Sequence, residues 1–145
     1  MGVTQSPRIV GLGAVSGYGW GVDRLWRGLL SGKSAGRAVE FGEFAGLAAM
    51  VPDGGNEEDS VTLFGRAFYG SGREALSDAT ARGWRPGSRV GLILCTSLGE
   101  VQGWRDLYFE HSGQVRRRHY LQLLPSTAPS MLMAEHGFNG PSMNV

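Results

Sequence analysis

The chain has 145 residues, 41% of them hydrophobic, and a formal net charge of +1. The length predicts one domain, the apolar fraction predicts a packed core, and the near-neutral charge argues against a nucleic-acid or membrane-surface partner. The single cysteine, Cys95, excludes an internal disulfide framework and a multi-cysteine metal site.

Three features predict a cytoplasmic protein. The longest apolar run, residues 90–95, is much shorter than the ~20 residues that cross a bilayer. The N-terminal residues MGVTQSPR lack the apolar segment of a secretory signal. A lone cysteine agrees with a reducing compartment.

The first third of the sequence predicts a strand, a turn and a helix. Residues 8–15 begin as a short apolar strand, and residues 17–21 contain three glycines that interrupt it. From Val22 to Leu30 the apolar residues recur on one face of a helix, which ends before Gly32. Residues 33–56 are mixed and rich in glycine, so we predict a loop with at most one weak strand.

A second, longer helix is predicted from about Val61 to Ala79. Its apolar and small residues keep helical spacing over four turns, with Asp59 or Ser60 as the N-cap and Gly83 after its end. The small residues Ser71 and Gly72 on its inward face predict close packing against another element.

Residues 90–95 are apolar without alternation, which is typical of a strand covered on both faces in a parallel sheet. Residues 96–100 predict a polar turn. Residues 101–110 predict a helix that turns Trp104, Leu107 and Tyr108 inward.

The last third predicts one more helix and the start of a strand. Residues 111–124 show no clear period, and Ser126 or Thr127 then caps a helix with Pro129 in its first turn. Gly137 ends that helix, and residues 142–145 begin a strand. The pattern favours a layered α/β architecture, but two convincing strands are too few for a doubly covered sheet. Either some strands are not recognisable from the sequence pattern, or the strands that would complete the sheet are absent.

The glycine-rich turn is the first candidate site. Glycines 11, 13, 17 and 19 lie where a dinucleotide-binding loop would follow a first strand. The spacing that starts at Gly11, however, puts Ser16 in place of the third glycine, and Glu40 lacks the apolar strand that would present it to a ribose. A structural tight turn is the alternative interpretation.

Cys95 and the histidines are the other candidates. Cys95 ends the predicted buried strand, either as a small buried hydrophobe or as a nucleophile without a nearby histidine in the sequence. His111, His119 and His136 have no metal-ligand spacing, and His136 is suited to the C-terminal end of a helix dipole.

Five stretches resemble the N-terminal part of the β-ketoacyl synthases, the condensing enzymes of fatty-acid and polyketide assembly. They are IVGLGAVS at 9–16, WRGLLSGKS at 26–34, VGLILCTSLGE at 90–100, LPSTAPS at 124–130 and HGFNGPSMNV at 136–145. They occur in the family's order across nearly the whole chain.

The resemblance implies a thiolase-type fold of two similar βαβαβ halves, whose central sheets are sandwiched by helices and whose subunits commonly pair. Residues 1–145 match only the front of the first half. The expected fold class is therefore α/β, an incomplete N-terminal half of a layered αβαβα fold. The expected assembly is a homo-oligomer or a complex with a complementing C-terminal chain.

The resemblance also implies where the chemistry lies. In the family, a Gly-Pro-Ser-x-x-Val stretch leads within a few residues to an alanine-cysteine pair whose cysteine accepts the acyl group, and this chain ends just before it. Two further catalytic groups, histidines in most members, belong to the C-terminal half. We therefore expect no catalytic residue, metal or cofactor in this chain.

Substrate-binding residues are expected at one place only. By the resemblance, Thr96, Ser97, Leu98 and Gly99 lie near the acyl tunnel, with Leu98 at the position of a gating apolar side chain. Ordinary core packing of Leu98 is the alternative.

Three function classes remain open. The first is the N-terminal portion of a synthase, inactive alone, which in the complete enzyme acts on an acyl thioester and an acyl carrier protein. The second is a noncatalytic partner that completes a synthase. The third is a nucleotide-binding α/β protein that uses the glycine-rich turn.

Overall fold

The computed structural model describes residues 6–87, 89–109 and 117–145, and these form a mixed α/β structure. The helices in this part of the chain are α1 (Val22–Leu30), α2 (Leu63–Ala81), α3 (Val101–Phe109), α4 (Arg117–Gln122) and α5 (Thr127–Glu135). The strands are β1 (Val15–Ser16), β2 (Gly19–Trp20), β3 (Arg37–Phe41), β4 (Phe44–Ala48), β5 (Leu92–Leu94) and β6 (Ser142–Asn144). They form three two-stranded sheets, antiparallel β1–β2 and β3–β4 and parallel β5–β6.

The predicted helices α1, α2, α3 and α5 are confirmed over the described residues. Ser126 is the N-cap of α5, and Pro129 lies in its first turn as predicted. The cap of α2 was predicted at the wrong residue. It is Thr62, whose side chain accepts a hydrogen bond from the Gly65 amide, while the Ser60 hydroxyl accepts from the amide of Thr62 itself.

The predicted strand at residues 8–15 is wrong, because only its last residue pairs with another strand. The preceding residues run along α2 instead, and their amides donate to its carboxylates. Leu12 N lies 3.1 Å from Asp78 Oδ2, and Ala14 N lies 2.9 Å from Glu74 Oε2. Side-chain oxygens thus replace the strand carbonyls that would satisfy these amides.

Residues 33–56 contain a hairpin, β3–β4, where the sequence predicted a loop with at most one weak strand. Gly42 and Glu43 form its two-residue connection, and Gly42 has φ +58°. A glycine in this left-handed conformation is what such a tight connection requires. Gly42 is a turn signal in the sequence, but the many neighbouring glycines made the hairpin hard to distinguish from a loop.

The parallel sheet confirms that residues 142–144 form a strand. Leu92 pairs with Ser142, and the Thr96 amide donates to the Val145 carbonyl at 3.0 Å. The prediction that the apolar strand is covered on both faces is wrong in the described part of the chain. Ile93 is 71% exposed, whereas Leu94 on the opposite face is buried and α5 contacts the strand.

The core lies where α2 packs against α5. Its buried residues are Tyr69, Ala79, Leu94, Leu107, Leu123, Pro129, Leu132 and Met133. The close packing predicted from Ser71 and Gly72 is confirmed, because a Cβ on Gly72 would lie 2.8 Å from Leu132 and one on Gly13 would overlap the Ser71 carbonyl. Arg73 on α2 also donates two hydrogen bonds to Glu135 on α5.

Some predicted inward faces are exposed. No residue of α1 is buried, and its Trp26, Leu29 and Leu30 are all more than half exposed. In α3, Leu107 is buried as predicted but Tyr108 is exposed, so that part of the prediction is wrong. Helical periodicity identifies the apolar face but does not show which element covers it. None of the described helices has the length and apolar character needed to cross a membrane.

Candidate functional site

The glycine-rich turn has a structural explanation for its glycines. A Cβ on Gly11 would lie 2.7 Å from the Ala79 Cβ, and one on Gly13 would lie 2.8 Å from the Ala75 amide nitrogen. Both distances are shorter than real Cβ contacts, so only glycine lets this segment lie so close to α2. Gly11 and Gly13 thus serve packing against α2.

The start of α1 holds a carboxylate of the chain itself. The Val22 amide donates to Glu74 Oε1 at 2.9 Å, and the other carboxylate oxygen accepts from Ala14. A helix N-terminus attracts anions, and here Glu74 occupies that position. This geometry favours the structural-turn interpretation over a pyrophosphate site.

The predicted substrate-binding residues form a turn at the carboxyl end of β5. Gly99 has φ +56°, and its amide donates to Thr96 Oγ1 at 3.0 Å, which closes the turn. Because the Thr96 amide also bonds to Val145, the turn lies beside the end of β6. Ser97 is exposed and Leu98 is 73% exposed, so Leu98 is not a core residue in the described structure. Its gating role stays a prediction.

Cys95 precedes this turn and is exposed. The expectation of a buried hydrophobe is therefore wrong for the described chain, since β5 lacks a cover on that face. No hydrogen bond joins the thiol to a described base, so nothing in the structure supports its alternative role as a nucleophile.

A cavity of about 600 Å³ lies next to the turn. Its walls are formed by Met50, Val51 and Asp53 and by the residues at the beginning of α2 and of α3. Of the four predicted substrate-binding residues, only Gly99 lines it. Glu100, the next residue, also lines it and is only 5% exposed.

Glu100 belongs to a small polar network that the sequence did not predict. Thr62 Oγ1 donates to Glu100 Oε1 at 2.6 Å and lies 3.1 Å from Ser60 Oγ. Burial raises the pKa of the Glu100 carboxyl, and the bond from Thr62 opposes that rise only in part. Thr62 and Glu100 stand far apart in the sequence, so local patterns gave no sign that they meet.

A second cluster surrounds Arg73 at a smaller cavity of about 290 Å³. Arg73 bonds to Asp59 and Glu135, and its guanidinium lies 5.4 Å from the centre of the Tyr69 ring. The bond from Arg73 lowers the pKa of Glu135, and burial raises the pKa of Tyr69. Because Arg73 is satisfied by two carboxylates, we interpret the cluster as an ion-pair link between α2, α5 and the loop before α2.

The histidines show no catalytic arrangement in the described structure. His136 caps the end of α5 as predicted and stacks on Phe138 with ring centres 5.5 Å apart. His111 and the side chain of His119 lie outside the described residues. Among residues that the structure describes, no group of three or more potential ligands can hold a metal ion. No protein-family model and no curated protein matches this sequence.

Proposed function

We propose that this chain is the N-terminal portion of a β-ketoacyl synthase-like condensing enzyme with a thiolase-type fold, and that residues 96–99 contribute to the acyl-pocket wall. The complete enzyme acts in the cytoplasm on an acyl thioester and an acyl carrier protein. The chain by itself is inactive.

One observation carries this proposal. Residues 90–100 and 136–145, two of the stretches that resemble the family, are distant in sequence but form the neighbouring parallel strands β5 and β6. Their carboxyl ends meet where the Thr96 amide bonds to the Val145 carbonyl. Substrates of α/β enzymes bind outside the carboxyl ends of parallel strands. By the resemblance, the acyl-accepting cysteine would follow Val145 within a few residues and lie beside this turn.

The chemistry explains why the chain is expected to be inactive. Decarboxylative condensation needs a thiolate to hold the acyl chain and preorganised donors to stabilise the enolate and the later oxyanion. By the resemblance, the groups that supply these functions belong to the family's later residues. Cys95 does not replace them, because it follows β5 and its thiol has no described base partner.

A noncatalytic partner that completes a synthase is the second candidate. The exposed apolar face of α1 and the exposed Ile93 side of the β5–β6 sheet favour it, since surfaces of this kind mark interaction sites. Co-purification with a chain that carries the missing cysteine would support this candidate over the first.

Two experiments test the leading proposal. Sequencing the gene past the Val145 codon should reveal an in-frame alanine-cysteine pair within a few residues. In the resulting enzyme, Leu98→Trp should lower the turnover of long acyl chains relative to short ones by roughly tenfold, because it narrows the pocket.

Leu47→Trp is the matched control, because Leu47 is also largely exposed but lies on the β3–β4 hairpin. This substitution should leave the chain-length preference unchanged. Condensation by the 145-residue chain alone, or a chain-length preference that Leu98→Trp does not alter, would contradict the proposal.

A further inference from the structure

The cavity beside α3 has a mostly apolar lining. Its apolar side chains include Met50, Val51, Val61, Leu63, Phe64 and Ala67. Met50 and Val61 are exposed at its rim, whereas Leu63 and Phe64 are partly buried. A cavity of about 600 Å³ with such walls is large enough for a small organic molecule.

The cavity also contains one carboxyl group that has no charged partner among the described residues. Glu100 is 5% exposed, and Thr62 Oγ1 is the single described donor to its carboxylate. No lysine, arginine or histidine of the described residues lies within ion-pair distance of it. The two oxygens of a carboxylate offer several acceptor sites, so the described residues leave most of the acceptor capacity of Glu100 unused.

The nearby arginine does not compensate this charge. Arg66 lines the same cavity, but its Nη2 atom bonds to Asp53 Oδ1 at 2.8 Å and its Nε atom bonds to the Gly54 carbonyl at 2.7 Å. Its charge is thus already balanced by Asp53. The side of the cavity formed by α3 therefore presents a buried acidic group next to an apolar wall.

We infer that this cavity binds a small amphipathic amine, whose ammonium group contacts Glu100 and whose alkyl body packs on Leu63 and Phe64. An ammonium supplies three donors and a positive charge, so it satisfies the free acceptor sites and offsets the cost of burying the carboxylate. An alkanol of the same length supplies one neutral donor, and a fatty acid brings a second negative charge. This inference is independent of the proposed synthase function.

The test uses the full 145-residue chain and three probes of matched length, n-octylamine, 1-octanol and octanoate. Calorimetric titration at neutral pH should show one octylamine site with an affinity at least roughly tenfold above that for octanol. Octanoate should not bind at this site. This titration does not depend on the activity test of the proposed synthase function. Either proposal can therefore fail without the other.

Glu100→Gln keeps the size of the side chain and an acceptor for Thr62 but removes the charge. It should weaken octylamine binding by roughly tenfold or more and leave octanol binding unchanged. Glu57→Gln is the matched control, because Glu57 is exposed outside the cavity and its replacement changes the net charge equally.

A second variant tests the same cavity without changing Glu100. Val61 is exposed at the cavity rim, so Val61→Trp should block entry and weaken octylamine binding without disturbing the core. Equal affinities for octylamine and octanol, octanoate as the preferred probe, no binding of octylamine, or binding that neither variant weakens would overturn the inference.

Discussion

At the residue scale, Glu100 is a glutamate that is buried beside a cavity. Glu100 directly follows the turn that the resemblance assigns to the acyl pocket, and its carboxylate is reached by the N-cap threonine of α2. Thr62 thus has two roles, since its hydroxyl accepts from the Gly65 amide and donates to Glu100. Helices α2 and α3 therefore begin at the same hydrogen-bond network.

Glu100→Gln should make the protein more stable than the native chain at neutral and higher pH. Burial raises the pKa of the native carboxyl, so between the unfolded and folded pKa values the folded state holds a proton that the unfolded state has lost. Stability from this group is therefore fully present below the unfolded pKa of about 4.3 and is lost as pH rises through the folded pKa.

Thermal melts of both proteins from acidic to mildly alkaline pH measure this effect. The difference in melting temperature should vanish at the acidic end and grow as pH rises, while Glu57→Gln should follow the native curve. A Glu100→Gln protein that is less stable than the native chain at pH 8 would show that the structure favours the ionised carboxylate.

At the element scale, the segment before β1 packs against helix α2 instead of pairing with a strand. Residues 11–14 lie against α2, and the amides of Leu12 and Ala14 donate to carboxylates on that helix. The contact requires two residues without Cβ atoms, Gly11 and Gly13. The first two glycines of the motif are thus explained by helix contact rather than by a ligand.

Gly13→Ala should destabilise the fold by about 3 kcal/mol, because a Cβ at this position would overlap the Ser71 backbone carbonyl, which cannot rotate away. Denaturant unfolding followed by circular dichroism measures the loss. Gly46→Ala is the matched control, since nothing lies within 4 Å of a Cβ there, and it should change stability by less than about 0.5 kcal/mol. Equal effects of the two substitutions would contradict the close packing.

At the scale of the whole molecule, the described chain leaves apolar surfaces uncovered. The exposed residues Trp26, Leu29 and Leu30 lie along α1, and Ile93 and Met143 are exposed on the paired strands β5 and β6. Contiguous apolar surface of this kind favours association, and two short parallel strands are a small sheet to stand alone.

The purified chain should therefore self-associate as its concentration rises, unless a partner covers these surfaces. Leu30→Lys should reduce the association by placing a charge on the α1 face, while Leu47→Lys, on the hairpin, should not. Sedimentation velocity over a range of concentrations measures the effect. A monomer at all concentrations that binds no hydrophobic dye would contradict this prediction.

The sequence alone determined most of the helices and the ends of the parallel sheet. Apolar residues at helical spacing predicted α2, Ser126 and Pro129 predicted the start of α5, and the residues after Pro141 predicted β6. These signals are local, because capping and periodicity depend on residues within a few positions of each other. The small residues of α2 also predicted a close neighbour correctly.

Only the tertiary structure decided what covers each element and which distant groups meet. It left the α1 face and Ile93 exposed, turned the expected first strand into a segment bonded to Glu74 and Asp78, and brought Thr62 to Glu100 beside a cavity. Burial and hydrogen bonding between distant residues depend on how whole elements pack. A pattern of neighbours in the sequence contains no record of that packing, so the cavity and its buried carboxylate could not be predicted from it.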